Sequence, residues 1–339
     1  MAKKVWGDEE TQFFYELTPD RILDAFEKVT NLRATGRSLA LNSMENRVYD
    51  VEIEVEEDFK GPRWDRNRIL KFYRPGRWSQ EQILEEHQFL FDLVDNEIPV
   101  VAPLKFDGKS LFKDETTGLS FTVFPKVSGR SPHELTNEQL EQVGRLLARL
   151  HNVGASKKAD HRITLTPESY GLENLAYLLD QKILPLELES RYRDVVQRIC
   201  EHTAPWFEET PYQRVHGDCH LGNLLWGDQG PFWVDFDDFV TGPCVQDFWL
   251  MIPGRDEYSQ NQLKKVIESY RMMRDFDGHS LRLVEPLRAL RFVHFHAWIS
   301  KRWKDPAFPR AFPDFNSHNY WHHQVSDLEE QWQLITGRM

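Results

Sequence analysis

The chain has 339 residues, 40% of them apolar and 13% aromatic, which is enough for a sizeable core and too much for a disordered chain. Its 42 Lys and Arg against 54 Asp and Glu leave a formal charge of −12, which argues against a binder of nucleic acid or another polyanion. No run of 18 uncharged apolar residues occurs, and Met1–Glu10 has two lysines with no apolar stretch behind them, so neither a membrane span nor a secretory leader is expected.

The length suits about two domains or one two-lobed domain. The first third reads as strand-rich. Residues 48–55 alternate apolar and polar with period two, which predicts a half-buried strand. Residues 69–73 predict a second strand, and the charged stretch 56–68, with Gly61-Pro62, predicts the loop between them. From Ser79 the period becomes helical, with Ile83, Glu86, Leu90 and Leu93 on one face and a capping box between Ser79 and Gln82. A third strand is expected over 119–124, then a turn-rich connector. Thr136 and Gln139 predict another capping box, opening a helix that Gly154 would stop. Further helices are expected near 187–203, 259–274, 285–303 and 322–335, and an ordered loop over 305–316. The expected layout is an N-terminal nucleotide-binding lobe over 1–124, a hinge over 125–132 and a C-terminal catalytic lobe over 133–339.

The strongest chemical signal is Val215-His216-Gly217-Asp218-Cys219-His220-Leu221-Gly222-Asn223, followed by Val234-Asp235-Phe236-Asp237-Asp238. Phosphoryl transfer needs one carboxylate to orient the acceptor hydroxyl and take its proton. It also needs an amide oxygen and a second carboxylate to hold Mg²⁺ against the phosphates. Asp218, Asn223 and Asp235 have the spacing of the kinase pattern H-R-D-x-x-x-x-N followed by D-F-G, with Gly217 in place of the Arg and Asp237 in place of the last Gly. The rival chemical reading is a zinc site of His216, Asp218, Cys219 and His220. In an extended segment Cys219 would point away from the other three, and no second His/Cys cluster completes the set. The three cysteines, Cys200, Cys219 and Cys244, form no C-x-x-C pair, so a reducing cytoplasm is the expected setting.

A kinase also needs a lysine on a small-lobe strand for the α/β-phosphates and a glutamate on the next helix to fix it. Lys71 sits within the 69–73 strand. Glu86 shares the inward face with Ile83 and Leu90, whereas Glu85 is turned about 100° away. The phosphate loop would be residues 41–47, which has no glycine; its backbone N–H groups and Ser43 are the candidate donors. Residues 124–127, Phe124 and Lys126 among them, would be the hinge that meets adenine through its backbone.

The segments 41–49, 71–75, 82–89, 216–220 and 242–247, continued by 285–289 and 305–309, resemble the aminoglycoside phosphotransferase/choline kinase-like family, and within it bacterial stress-linked serine/threonine kinases. The resemblance runs from about Thr18 to Tyr320. It implies an α+β, two-lobed protein-kinase-like fold, with a strand-rich N-lobe and a mainly helical C-lobe. It further implies a monomeric, cytoplasmic enzyme dependent on ATP and Mg²⁺, acting on Ser/Thr hydroxyls of proteins, its own included. The family's proton acceptor falls on Asp218, its magnesium ligands on Asn223 and Asp235, and a serine of its ATP site on Ser43.

The residues themselves leave the acceptor open. There is no A-P-E segment to organise a peptide platform, and net acidity favours a cationic small acceptor such as an amino sugar or amino alcohol. A nucleotide-binding pseudokinase is the reading from another class; the intact Lys71, Glu86, Asp218, Asn223 and Asp235 weigh against it. Asp247 is expected to brace the catalytic loop through backbone N–H groups. His294 and His296 are expected to pack rather than bind metal.

Overall fold

The computed structural model describes residue 14 and residues 16–337; the stretch Met1–Glu10 discussed above lies outside them. By contacts the chain forms two compact units. One is Met1–Pro132 with Gly222–Asp237, the other His133–Leu221 with Asp238–Met339.

The first unit opens with α1 (Pro19–Thr30), an element the strand-rich reading missed although its signals are present. Thr18 caps it, Pro19 stands at its first turn, and Asn31 closes it in the left-handed conformation. Strands β1 (Ala34–Leu41), β2 (Arg47–Ile53) and β3 (Asn67–Phe72) follow. Then come α2 (Gln80–Asp95), β4 (Phe112–Lys113) and β5 (Ser120–Pro125), and the strands form one antiparallel sheet in the order β1-β2-β3-β5-β4. Period-two alternation sorts the side chains. Val51, Ile53, Leu70, Phe72, Phe121 and Val123 join Ile22 and Phe26 of α1 in the core. The opposite face carries Lys71, Ile69, Val48 and Phe124, by their register across β2, β3 and β5.

In the second unit come α3 (Asn137–Ser156), a π-helical turn over Pro167–Leu172, α4 (Glu173–Asp180), α5 (Leu186–Glu208) and β6 (Tyr212–Val215). The chain then makes β7 (Leu224–Gly227) and β8 (Gly230–Trp233), which belong to the first unit, since Trp233 N–H donates to Pro99 O and Trp226 exchanges hydrogen bonds with Arg130. The second unit resumes with β9 (Val240–Pro243), antiparallel to β6, then α6 (Val245–Met251), α7 (Glu257–Tyr270), α8 (Val284–Lys301), α9 (Ala307–Ala311) and α10 (His318–Thr336).

Both capping boxes, Ser79/Gln82 and Thr136/Gln139, are formed. Two expectations change. Gly154 does not stop α3, which runs on to Ser156; a Cβ there would stand 2.2 Å from Arg214 O, so this glycine serves close packing of α3 on β6. The expected loop over 305–316 contains α9, with Phe308 wholly buried. His296 is buried between Tyr192 OH and Gln324 Oε1 at 2.8 and 2.7 Å, and burial lowers its pKa to about 4, as befits a packed neutral imidazole. His294 stacks on Tyr170, with ring centroids 4.7 Å apart. Among the described residues no helix is long and apolar enough to cross a membrane.

Candidate active site

In the first unit, alternation along β3 sends Leu70 and Phe72 to the core and Lys71 to the opposite face. There its side chain is only 8% exposed, and Nζ lies 3.7 Å from Glu86 Oε1 and 3.3 Å from Asp235 Oδ1. Glu86 is buried on the inward face of α2 as its helical phase requires. A third carboxylate, to which the sequence reading gives no role, is nearest: Asp237 Oδ1 at 3.0 Å. Burial alone would disfavour the Lys71 ammonium. Asp237, Glu86 and Asp235 outweigh it and hold the pKa well above that of an ordinary lysine.

Asp237 also accepts from Arg77 Nη1 at 2.6 Å, and Arg77 reaches Glu45 Oε2 at 3.4 Å. Glu45 belongs to the glycine-free loop between β1 and β2. That loop is held from below by Arg74, whose Nε donates to Glu45 O and Nη2 to Met44 O, while Arg74 N–H donates to Asn46 Oδ1. Ser43 Oγ accepts from Asn46 N–H at 3.3 Å inside the same loop. Phe124 lies opposite Ile69 on the Lys71 face. Lys126 Nζ pairs with Asp50 Oδ2 at 2.5 Å, and the two residues border an open cavity of about 1110 Å³ together with Leu39, Asn67, Val127 and Gly129.

The β7–β8 hairpin positions the other two polar groups of this unit. Val234 N–H donates to Asn223 O at 3.0 Å, so Asn223 stands opposite the residue before Asp235 at the open end of the hairpin. Asp235 has φ of 59°, a left-handed conformation that Asp tolerates better than most residues. Its carboxylate remains 57% exposed. Phe236 turns inward against Phe89 of α2, ring centroids 5.7 Å apart and near perpendicular.

In the second unit the loop after β6 is braced as expected by Asp247, which is fully buried. Its Oδ2 accepts from His216 N–H at 2.9 Å and its Oδ1 from Gly217 N–H at 2.8 Å, and His151 Nε2 lies 3.0 Å from Oδ2. Gly217 has φ of 84°, and a Cβ there would meet Asp238 O at 2.3 Å. This is why the position holds glycine and not the Arg of the kinase pattern. Asp218 is 19% exposed; its Oδ1 accepts from Arg291 Nη2 of α8 at 3.0 Å, and its Oδ2 lies 3.3 Å from His220 Nε2. Burial pushes the Asp218 carboxyl up. The His220 hydrogen bond and the Arg291 guanidinium more than offset this and hold it well below the usual carboxylate range. The zinc reading fails here: His216 Nδ1 accepts from Asp218 N–H, Asp218 is committed to Arg291 and His220, and Cys219 is wholly buried.

Sequence reasoning notes Asp237 without giving it a role and does not single out Arg77 or Arg291. Asp237 was visible as an extra acid after Asp235-Phe236. The other two lie far along the chain from their partners, and no spacing announces them.

Comparison with known proteins identifies the family. A model of the APH phosphotransferase enzyme family matches residues 40–284. The chain is 41% identical over 324 residues, 95% of its length and 94% of the relative's, to stress response kinase A of Escherichia coli K12. It is 38% identical over 323 residues, with the same coverage, to serine/threonine protein kinase RdoA of Salmonella typhimurium. Among solved structures it is similar to an amicoumacin kinase in complex with AMP-PNP, Ca²⁺ and Ami. The TM-score is 0.68, at 18% identity, over 91% of this chain and 96% of that one. The chain belongs to the APH phosphotransferase enzyme family and has its α+β, kinase-like architecture.

Proposed function

We propose that this phosphotransferase moves the γ-phosphoryl group of ATP to Ser/Thr hydroxyls of proteins, itself included, in a bacterial stress response. The observation that carries an ATP-dependent kinase is the buried Lys71–Glu86 pair at 3.7 Å, with Asp235 on the same ammonium. The carboxylates keep this ammonium protonated and in place, which is what a lysine serving the α/β-phosphates requires. The naming of the relatives supports the protein acceptor and the stress setting.

In this reading the acceptor oxygen forms a bond to Pγ while the Pγ–O bond to the leaving diphosphate breaks, its electron pair departing on ADP. The hydroxyl proton passes to the Asp218 carboxylate. The transition state is loose and the proton moves late, so a carboxylate of low basicity suffices; Asp218 chiefly orients the nucleophile. Ser43 and the backbone of its loop cradle phosphate, and the hinge at Phe124 and Lys126 meets the adenine ring. Asn223 and the exposed Asp235 carboxylate, both hard oxygen donors at one hairpin end, fit a divalent ion and would hold Mg²⁺. When bound, that ion neutralises charge on the phosphates.

A small hydroxyl compound is the second reading, favoured by the likeness to a kinase solved with a small-molecule ligand. Labelled ATP offered to a cell lysate and to a metabolite panel separates the two. Label in protein hydroxyls supports the proposal; label confined to small molecules overturns it. Retained metal-dependent turnover in Asp235→Ala would contradict the metal assignment.

A further inference from the structure

Within the second unit, the π-helical turn Pro167–Leu172, the C-terminal half of α5 and the start of β6 border an open cavity of about 660 Å³. None of its lining residues lies in the H-G-D loop or the β7–β8 hairpin. Its floor is apolar, made by Pro167, Leu172, Cys200, Phe207 and Tyr212, with Cys200 and Phe207 almost fully buried. Its rim carries Glu168, Glu201 and Glu208, all exposed, and no Lys, Arg or His. We infer that this cavity binds an aliphatic polyamine, with ammonium groups on the rim carboxylates and the methylene chain along the apolar floor.

The rim charges are not cancelled by the protein. Among the described residues Glu168, Glu201 and Glu208 make no ion pair and no side-chain hydrogen bond. Cations on neighbouring elements are engaged elsewhere: Arg282 pairs with Glu209 at 2.5 Å, and Lys301 lies 4.6 Å from the Tyr177 ring. Glu208 stands at the carboxyl end of α5, where the helix dipole disfavours an acid and the last turn holds no basic residue. A bound ammonium relieves that local cost. Burial pushes the Cys200 thiol up to about 12; the charges of Glu168 and Glu201, one on the turn and one on α5, add to it, and no cation opposes them.

The rim suits several ammonium groups on one chain better than a single point cation. Among the described residues no three acidic, His or Cys side chains gather closely enough to hold a metal ion. Glu201 and Glu208 are seven residues apart on α5, so about 10 Å along its axis, with Ala204 between them and Glu168 on the neighbouring turn. Charges spread in this way beside an apolar floor match ammonium groups spaced along methylenes, and the volume falls in the range of small-molecule sites.

The test is titration calorimetry of the full chain without nucleotide, whose phosphates would themselves pair with amines. The probes are spermidine, 1,8-diaminooctane, octylamine and octane-1,8-diol. Wild type should bind spermidine or the diamine one to one, at least about tenfold more tightly than octylamine, with no measurable binding of the diol. Glu201→Gln/Glu208→Gln should weaken the diamine at least about tenfold, and so should Ala204→Phe, which keeps every charge and fills the space between them. Glu56→Gln/Glu57→Gln, which neutralises two exposed acids of the first unit, should bind as wild type. The inference is overturned by the absence of saturable binding at millimolar amine, by octylamine or the diol matching the diamine, or by wild-type affinity in either cavity variant shown folded by circular dichroism. An equal loss in the Glu56/Glu57 control also overturns it, since binding would then be general attraction to the net charge of −12.

Discussion

Lys71 Nζ stands closer to Asp237 Oδ1, at 3.0 Å, than to Glu86 Oε1, at 3.7 Å. Asp237 occupies the place of the glycine in the kinase D-F-G pattern. Through Arg77, at 2.6 Å from its other oxygen, it joins the lysine to Glu45 of the β1–β2 loop. Three segments distant in sequence thus share one buried chain of charges.

Breaking that chain takes from Arg77 and Lys71, both almost fully buried, the shortest ion pair each makes, and leaves only the longer contacts to Glu45, Glu86 and Asp235. Asp237→Ala is expected to lower unfolding free energy by about 3 kcal/mol, since removing one partner of a buried ion pair exposes the other's desolvation cost. It should also raise KM for ATP. Urea unfolding and steady-state kinetics check this; an unchanged KM would detach Asp237 from the nucleotide site.

Gly217→Ala tests the backbone argument in the H-G-D loop. At φ of 84°, with Asp238 O 2.3 Å from an ideal Cβ, alanine forces the loop off its Asp247 brace. A loss of about 2 kcal/mol or more is expected, with a fall in kcat larger than the change in KM for ATP. A thermal melt and turnover at saturating ATP read both. Wild-type behaviour would mean that the glycine is dispensable.

Legibility in the sequence followed the range of the forces involved. Lys71 and Glu86 were readable because strand alternation and helical phase are local rules, and Asp247 because the segment after Gly242-Pro243 has to support the loop beside it. Gly154 was misread because glycine ends helices and also admits close packing, and only Arg214 O, 60 residues away, tells which applies. Arg77 and Arg291 carry no local mark at all. Their partners lie 160 and 73 residues off, and a surface arginine on a helix has the same local sequence whether or not it reaches an acid.

The reactive thiol is expected to be Cys244 and not the one beside the proposed base. Burial pushes the Cys219 thiol well up, and Asp247 and Asp218 add to it. Cys244 is partly exposed; burial raises it too, but the His151 imidazole and Arg274 outweigh that and bring it below the ordinary thiol value. Iodoacetamide at neutral pH, followed by peptide mass mapping, should mark Cys244 first and spare Cys219 and Cys200. Earlier labelling of Cys219 would show that its burial does not persist in solution.

The pairing of Asp218 with Arg291 and His220 fixes the sign of a pH effect. The folded carboxyl lies below its reference value of 3.8, so the pairing stabilises the fold above that value, and the gain is lost as pH falls through the lower folded pKa. The stability penalty of Asp218→Asn should therefore be full at about pH 6 and shrink as pH is taken well below 3.8. In catalysis the same depression keeps the carboxylate ionised, so the acid limb of kcat/KM for the acceptor should not come from Asp218 in wild type. Arg291→Gln removes one of the two groups that depress the Asp218 carboxyl and should move an acid limb upward, toward the reference carboxylate value, with the His220 hydrogen bond still holding it down. Urea unfolding across pH and pH–rate profiles of the two forms check this. A penalty constant with pH, or coincident acid limbs, would show that Arg291 does not govern the ionisation of Asp218.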